Sequence, residues 1–232
     1  MKRDLGKKIL PLLAAIILTS ASSTGKSEDP LEGYNRFVFA GNQRLDTYLL
    51  RPVAKGYRYV TPQAVRTRIG NVSNNLYEPV SMLNAFLQGD FSQGSRTFFR
   101  FLINSTVGLA GMHDVASEAG IAGRNEDFGQ TLAVWGAGSG PYIVLPFFGP
   151  SNLRDTTGLV ADTLSNPVPY VTNTWTTVGI TAGQVVVERE RLLDPIDDIY
   201  ATSLDPYASI KSIYEQRREA EIGNQKSDQP KL

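Results

Sequence analysis

Apolar residues recur at helical spacing along most of the chain. In "DPLEGYNRFVFAGNQRLDTYLLRP" (29–52), Leu31, Tyr34, Val38, Leu45, Tyr48 and Leu49 fall on one face of a 3.6-residue period. Asp29 suits an N-cap and Pro30 the first helical position, and Pro52 is expected to end or kink the helix. "VAKGYRYVTPQAVRTRIGNVSNNL" predicts a short helix, a turn at Thr61-Pro62 and a second helix over about 62–69. Pro79 then marks a helix start, with Val80, Leu83, Phe86 and Leu87 on one face and Gly89 as the stop. Asp90 caps the next helix, where Phe91, Phe98, Phe99, Phe101 and Leu102 exceed one narrow stripe. Such a helix is expected to be centrally buried or wet over a small arc.

The glycine-rich stretch 108–149 predicts a short helix around Met112–Ala119 and two short strands, near Thr131–Trp135 and Tyr142–Leu145. Ser151 caps a helix with Leu153, Thr157, Val160 and Leu164 aligned, broken by Pro167 and Pro169. Residues 174–193 form the longest candidate helix, with Trp175, Val178, Val185 and Leu193 near one face, and Pro195 interrupts it. Asp205 and Pro206 open a last amphipathic helix with Tyr207, Ile210, Ile213 and Tyr214 on one side. From Gly223 the tail is polar and is expected to be loose. The fold class is mainly α with a minor β element.

One stretch fits neither period. In "GPYIVLPFFGP" (140–150) six large apolar or aromatic residues lie between two Gly-Pro pairs, and Pro146 splits the run. A proline cannot donate into a sheet ladder. Phe147 and Phe148 therefore sit on a proline-pinned loop, where they either plug a core or face something less polar than water. Rings also punctuate the helices in "YNRFVF", "GYRY" and "FFRF". Pattern alone favours ordinary core packing for them; the alternative is a lipid boundary, where an apolar body with a polar tip is favoured.

Composition changes the picture at the N-terminus. "MKRDLGKK" is basic and "ILPLLAAIILTSA" supplies an apolar run too short to span a bilayer, so residues 1–21 are expected to be a secretory signal peptide. Residues 22–28 follow as a flexible leader, 29–222 as a single helical domain and 223–232 as a flexible tail. The 23 basic and 23 acidic residues balance, and nucleic-acid binding is not expected. Removing Lys2, Arg3, Lys7, Lys8 and Asp4 with the signal segment leaves 19 basic and 22 acidic residues. The chain has no cysteine, which excludes thiol catalysis, cysteine-based zinc sites and acylation of an N-terminal cysteine.

No constellation carries catalysis. The single histidine, His113, precedes Asp114 in "GMHDVAS", but adjacent residues do not make a triad, and a non-catalytic histidine is expected. "GAGSG" (136–140) fits neither phosphate-loop pattern nor the nucleophile elbow, and its glycines suit tight turns. Asp194, Asp197 and Asp198 lack the alternation of a calcium loop and are expected to be solvated helix caps. "NNLYEP" (74–79) and "GRNEDFG" (123–129) are expected to serve turns. The chain is not expected to be an enzyme, and no cofactor is implied.

A set of ordered strings resembles the MlaA (VacJ) family of Gram-negative outer-membrane proteins. These are "DPLEGYNRFVF" (29–39), "RPVAKGYRYVTPQAVR" (51–66), "NVSNNLYEPVSMLNAFLQGD" (71–90) and "FFRFLINSTVGLAGMHDVA" (98–116). "EDFGQTLAVWGAGSGPYIVLPFFGPSNLRD" (126–155) and "DPYASIKSIYEQRR" (205–218) complete the set, which spans nearly all of the expected mature chain. The resemblance implies a ring of amphipathic helices around a central amphiphilic channel, lying in the inner leaflet of the outer membrane. It implies that mislocalised phospholipid enters the channel from the outer leaflet and passes to a soluble periplasmic carrier, with a trimeric porin as a further partner. On this resemblance Tyr142, Leu145, Pro146, Phe147 and Phe148 meet acyl chains or line the lip of the channel; otherwise the loop plugs the ring's own core. The first helix, with Asn35, Phe37, Phe39 and Asn42, either borders the channel or packs the ring. Many family members carry an acylated cysteine after the signal peptide. "TSASSTGK" has none, so attachment is expected to rest on the embedded ring, a porin or an uncleaved signal helix. Two rivals stay open: a porin-associated structural adaptor that passes no lipid, and an exported hydrolase that would need His113.

Overall fold

The computed structural model describes residues 30–228; the signal segment, the leader and the Asp29 cap lie outside them. Helix α1 spans Glu32–Leu45 and runs through a π-helical turn, Asp46–Leu50, into α2, Arg51–Val60. Pro52 therefore does not end the helix. It sits in the first turn of α2, and the wider turn just upstream takes up the missing N–H and the ring's demand for space. Helix α3, Gln63–Leu87, begins after Pro62 as expected but continues through Pro79. Pro79 is an interior residue, not a start: one lost backbone bond is outweighed by packing along the whole helix. "NNLYEP" accordingly lies mid-helix and not in a turn.

Gly89, at φ +80°, ends α3, and Asp90 accepts the Gln93 N–H at 2.9 Å to open α4, Phe91–Thr106. Asp114 caps α5, Val115–Glu118. Helix α6, Phe128–Val134, occupies the segment expected as a strand near Thr131–Trp135, because Asp127 caps it by accepting from Gln130 N–H at 2.8 Å. Strands β1, Tyr142–Leu145, and β2, Gly149–Asn152, form an antiparallel hairpin with Tyr142 opposite Asn152 and Leu145 opposite Gly149. Asn152, not Ser151, caps α7, Leu153–Ser165. Then come α8, Val168–Val171; α9, Thr174–Arg191; α10, Leu193–Thr202, with Pro195 in its first turn; and α11, Pro206–Asp228. The tail expected to be loose from Gly223 is helical as far as Asp228.

The helical periods match the sequence pattern, but the buried side is inverted. In α4 the buried stripe is Gln93, Gly94, Thr97, Arg100 and Asn104. Phe91, Phe98, Phe99 and Leu102 are exposed, so this helix is neither centrally buried nor wet on a small arc. In α7 Arg154, Gly158 and Asp162 are buried while Leu153, Val160 and Leu164 face out. In α9 Arg189 and Glu190 are buried and Trp175 is 85% exposed. Core packing of the rings is thus corrected for many of them: Phe37 is 80% exposed, Tyr59 91% and Phe147 77%. The apolar cluster is small, with Val38, Tyr142, Val144 and Tyr207 at its centre and Phe39 and Tyr214 against it.

Polar contacts hold the interior instead. Arg100 binds Glu78 across the α3–α4 hairpin at 3.0 Å and also reaches Ser117 and the Ile121 carbonyl. Asp197 pairs with Arg51 at 2.8 Å and Lys55 at 3.5 Å, and Asp194 with Arg58 at 2.8 Å. These two carboxylates are therefore not free caps; they tie α10 to α2, while Asp198 stays exposed. Helices α6 and α7 meet backbone to backbone, since a Cβ on Gly158 would lie 2.3 Å from the Gly129 nitrogen. Among the described residues no helix is long and apolar enough to cross a membrane.

Candidate functional site: an amphiphilic cavity beside the hairpin

Helix α1 fastens the hairpin through two asparagines seven residues apart. Asn35 donates to the Tyr142 carbonyl at 3.0 Å and accepts the Val144 N–H at 2.8 Å. Asn42 donates to the Leu145 carbonyl at 2.9 Å and accepts the Phe147 N–H at 2.9 Å. Seven helical residues advance about 10.5 Å, and three strand residues about 10 Å. Asn35 therefore meets an N–H and a C=O on the free edge of β1, and Asn42 meets the matching pair where β1 passes into the turn. Val144 gives its N–H to Asn35, so Pro150, opposite it in the register, has no ladder bond to lose. That is how a proline-rich segment forms a hairpin here.

The turn is Pro146-Phe147-Phe148. Phe147 stands at φ +68°, a left-handed conformation that costs a bulky residue about 1–2 kcal/mol. The Asn42 bond to its N–H holds it there, and both phenylalanines project from the turn, largely exposed.

Behind the hairpin lies a solvent-open cavity of about 560 Å³ with two kinds of wall. Leu145, Phe148, Pro150, Leu159 and Leu192 make the apolar side. Tyr77, Asp127, Asp155, Asp162 and Tyr214 supply the polar side, with Arg217, Arg218 and Glu221 from α11. Arg218 is the hub. Its Nη1 and Nη2 meet Asp127 at 2.6 and 3.0 Å, and its Nε and Nη2 meet Asp155 at 2.8 and 2.9 Å. Asp155 also accepts the Tyr214 hydroxyl at 2.5 Å and the Asn152 amide at 2.8 Å.

The electrostatics differ around this wall. Burial opposes ionisation of Asp127, but the Arg218 guanidinium and the Gln130 donors hold its carboxyl below the usual range. Burial pushes Asp162 up to about 6, with the nearby Asp127 charge adding to it, although Phe128 N–H and Asn84 donate to its carboxylate. Burial raises the phenols of Tyr77 and Tyr214, the latter also through its bond to Asp155. Among the described residues, then, the cavity carries one apolar flank and one charged flank whose single deeply placed cation is already matched by carboxylates.

Of the residues singled out from the sequence, Leu145 and Phe148 line this cavity. Pro146 and Phe147 are exposed at the turn, Tyr142 is buried in the apolar cluster, and Phe39 packs edge-on against Tyr207 with ring centres 5.7 Å apart. Asn35 and Asn42 are committed to the hairpin, and Phe37 points outward. Sequence reasoning passed over the charged flank. Asp155 and Asp162, seven apart on the face of α7 opposite Val160 and Leu164, carried a legible signal. Tyr77 and Asp127 lay in strings assigned to turns, and Arg218 had no local sign. His113 is exposed. Its neighbour Asp114 is occupied: burial would raise the carboxyl, but Ser117, Asn104 and Arg100 hold it down at about 2.

A family model described as "MlaA lipoprotein" matches residues 27–221. A protein of Rickettsia typhi is 38% identical over 195 residues, covering 84% of this chain and 78% of that one. The "Intermembrane phospholipid transport system lipoprotein MlaA" of Shigella flexneri is 38% identical over 219 residues, covering 89% of this chain and 85% of its own. A solved structure described as "Structural basis for maintenance of bacterial outer membrane lipid asymmetry" superposes with a TM-score of 0.75 at 40% identity. It covers 84% of this chain and is itself covered completely.

Proposed function

The chain belongs to the MlaA lipoprotein family, and on that premise we propose that it is a phospholipid-transport component of the outer membrane. It draws misplaced phospholipid from the outer leaflet through the cavity beside the hairpin and delivers it to a soluble periplasmic carrier. The observation that carries this reading is the inverted burial: charged and amide side chains inside, Phe37, Tyr59, Phe98, Phe99 and Trp175 outside. Fully exposing a side chain of that size to water forgoes about 1.5–3 kcal/mol each, and so large an apolar surface suits acyl chains.

In this reading the helices encircle the cavity within the inner leaflet. Tails slide past Phe148, Leu145, Leu159 and Leu192 while the headgroup stays wet against the opposite flank. Each acyl methylene left in water costs about 0.8 kcal/mol, so a path with both kinds of wall lowers the barrier at the lip. Because Arg218 is matched by Asp127 and Asp155, it does not trap a headgroup that passes along this polar wall. Retrograde direction comes from the carrier, and a trimeric porin holds the protein in place. Cells lacking the chain are expected to gain surface-exposed phospholipid, measured by labelling of the outer leaflet. Wild-type chain restores asymmetry, and Phe148→Glu does not. If Phe148→Glu restores it fully while porin association survives, the chain is an adaptor and the lipid path is refuted.

A further inference from the structure

A second, polar cavity of about 310 Å³ lies on the seam between α3 and α9. Gln63, Arg66, Thr67 and Asn71 line it from α3, and Glu190 and Arg191 from α9. It shares no lining residue with the hairpin cavity, yet the two come close: Arg191 lines the seam and its neighbour Leu192 the other.

Among the described residues the seam's cationic charge exceeds its carboxylate charge. Its one carboxylate, Glu190, is engaged by both Arg58, at 2.8 Å, and Arg66. Among the described residues Arg191 pairs with Glu188 alone, on the exposed side at 3.5 Å, a weak pairing in water. Its guanidinium lies against α3 at Gly70, where an added Cβ would fall 2.1 Å from Arg191 Nη2 and push this flexible end aside. Arg66 Nε is buried without a hydrogen-bond partner. Helix α3 also starts at Gln63 without a side-chain cap, leaving the partial positive charge of its first turn beside the cavity. The buried Arg66 Nε without an acceptor and the weakly paired Arg191 guanidinium call for an anion with several acceptor oxygens.

We propose that this seam binds a phosphate group, carried by a lipid headgroup or free in solution, between Arg66 and Arg191 with Thr67, Asn71 and Gln63 as neutral partners. Planar guanidinium forks suit phosphate oxygens, and hydroxyl and amide groups complete the shell.

The test uses the full chain purified in a maltoside detergent free of phosphate. Inorganic phosphate and a short-chain phosphatidylglycerol are titrated separately by calorimetry, with a diacylglycerol of equal chain length as the phosphate-free control. Arg191→Gln, at a side chain 41% exposed, is expected to bind a phosphate-bearing probe about tenfold more weakly with an unchanged melting temperature. Gly70→Ala, which displaces the guanidinium, gives the same loss by another route. Loss for both probes supports a general phosphate site, loss for the lipid alone a headgroup site, and loss for the ion alone a free-phosphate site. The proposal is overturned if wild type binds neither probe better than the control, or if both variants keep wild-type affinity for both. Surface-phospholipid labelling reads the hairpin cavity separately, so failure here leaves the transport reading to its own test.

Discussion

Arg218 binds two carboxylates at once, and the consequence of removing it follows from what is left behind. Arg218→Met leaves Asp127 and Asp155 beside each other with their charge-assisted bonds gone. The expected cost is about 3–5 kcal/mol, as for other broken buried pairs, read from denaturant unfolding in detergent; a loss under about 1 kcal/mol would mean water takes over the hub. Asp162 sets a different dependence. Its folded carboxyl keeps a proton to about pH 6, against an ordinary value of 3.8, so the native state holds the extra proton between those limits. Its contribution to stability therefore falls as pH rises from 3.8 to about 6 and is level above. Asp114, held at about 2, works in the opposite sense: its contribution is present above 3.8 and is lost as pH falls toward 2. Melting curves of Asp162→Asn should show a smaller decline between pH 4 and 6, the remainder coming from Glu78, whose carboxyl burial also raises, while keeping the acid loss below it; an unchanged decline would place its source elsewhere.

At the scale of elements, the hairpin and α1 form one unit. Asn35 is fully buried, so Asn35→Ala strands the Tyr142 carbonyl and Val144 N–H without water. Asn42 lies at the more open end and serves a strained residue. Asn35→Ala is expected to cost about 2–4 kcal/mol of global stability, two orphaned backbone groups at about 1–3 each before relaxation. Asn42→Ala should cost less globally but release the turn, with Phe147 amide exchange rising by at least about tenfold. Equal exchange in both proteins would show that the prolines alone set the turn. Much of this unit was legible beforehand: the strand over 142–145, the helix containing both asparagines and the Asp90 and Asp205 caps all follow from local spacing. The 25-residue length of α3 was not, because a proline's local penalty is visible in sequence and the compensating contact with α4 is not.

For the whole molecule, the decisive quantity is the apolar surface turned outward. The mature chain is expected to stay with outer membranes through high-salt and carbonate washes, followed by immunoblotting of the pellets. Release by salt would assign attachment to charge, and release by carbonate to a peripheral partner. The charged flank of the cavity belongs to this scale too: Tyr77, Asp127, Asp155 and Arg218 come from four separate helices or caps, and only their assembly makes a wall.

The amino-acid order by itself determined the mainly helical class and which residues of a helix share a face, because backbone geometry repeats every 3.6 residues whatever the surroundings, but not the helix boundaries at Pro52, Pro79 and Phe128–Val134. It also determined the absence of cysteine chemistry. Which face looks inward was decided only in three dimensions. An amphipathic helix offers the same period to a dry core and to a lipid layer, and the choice depends on whether its polar stripe finds partners within the protein. Here Arg100 finds Glu78 and Asp114, and Arg218 finds Asp127 and Asp155, so the charges close on one another and the rings are left outside.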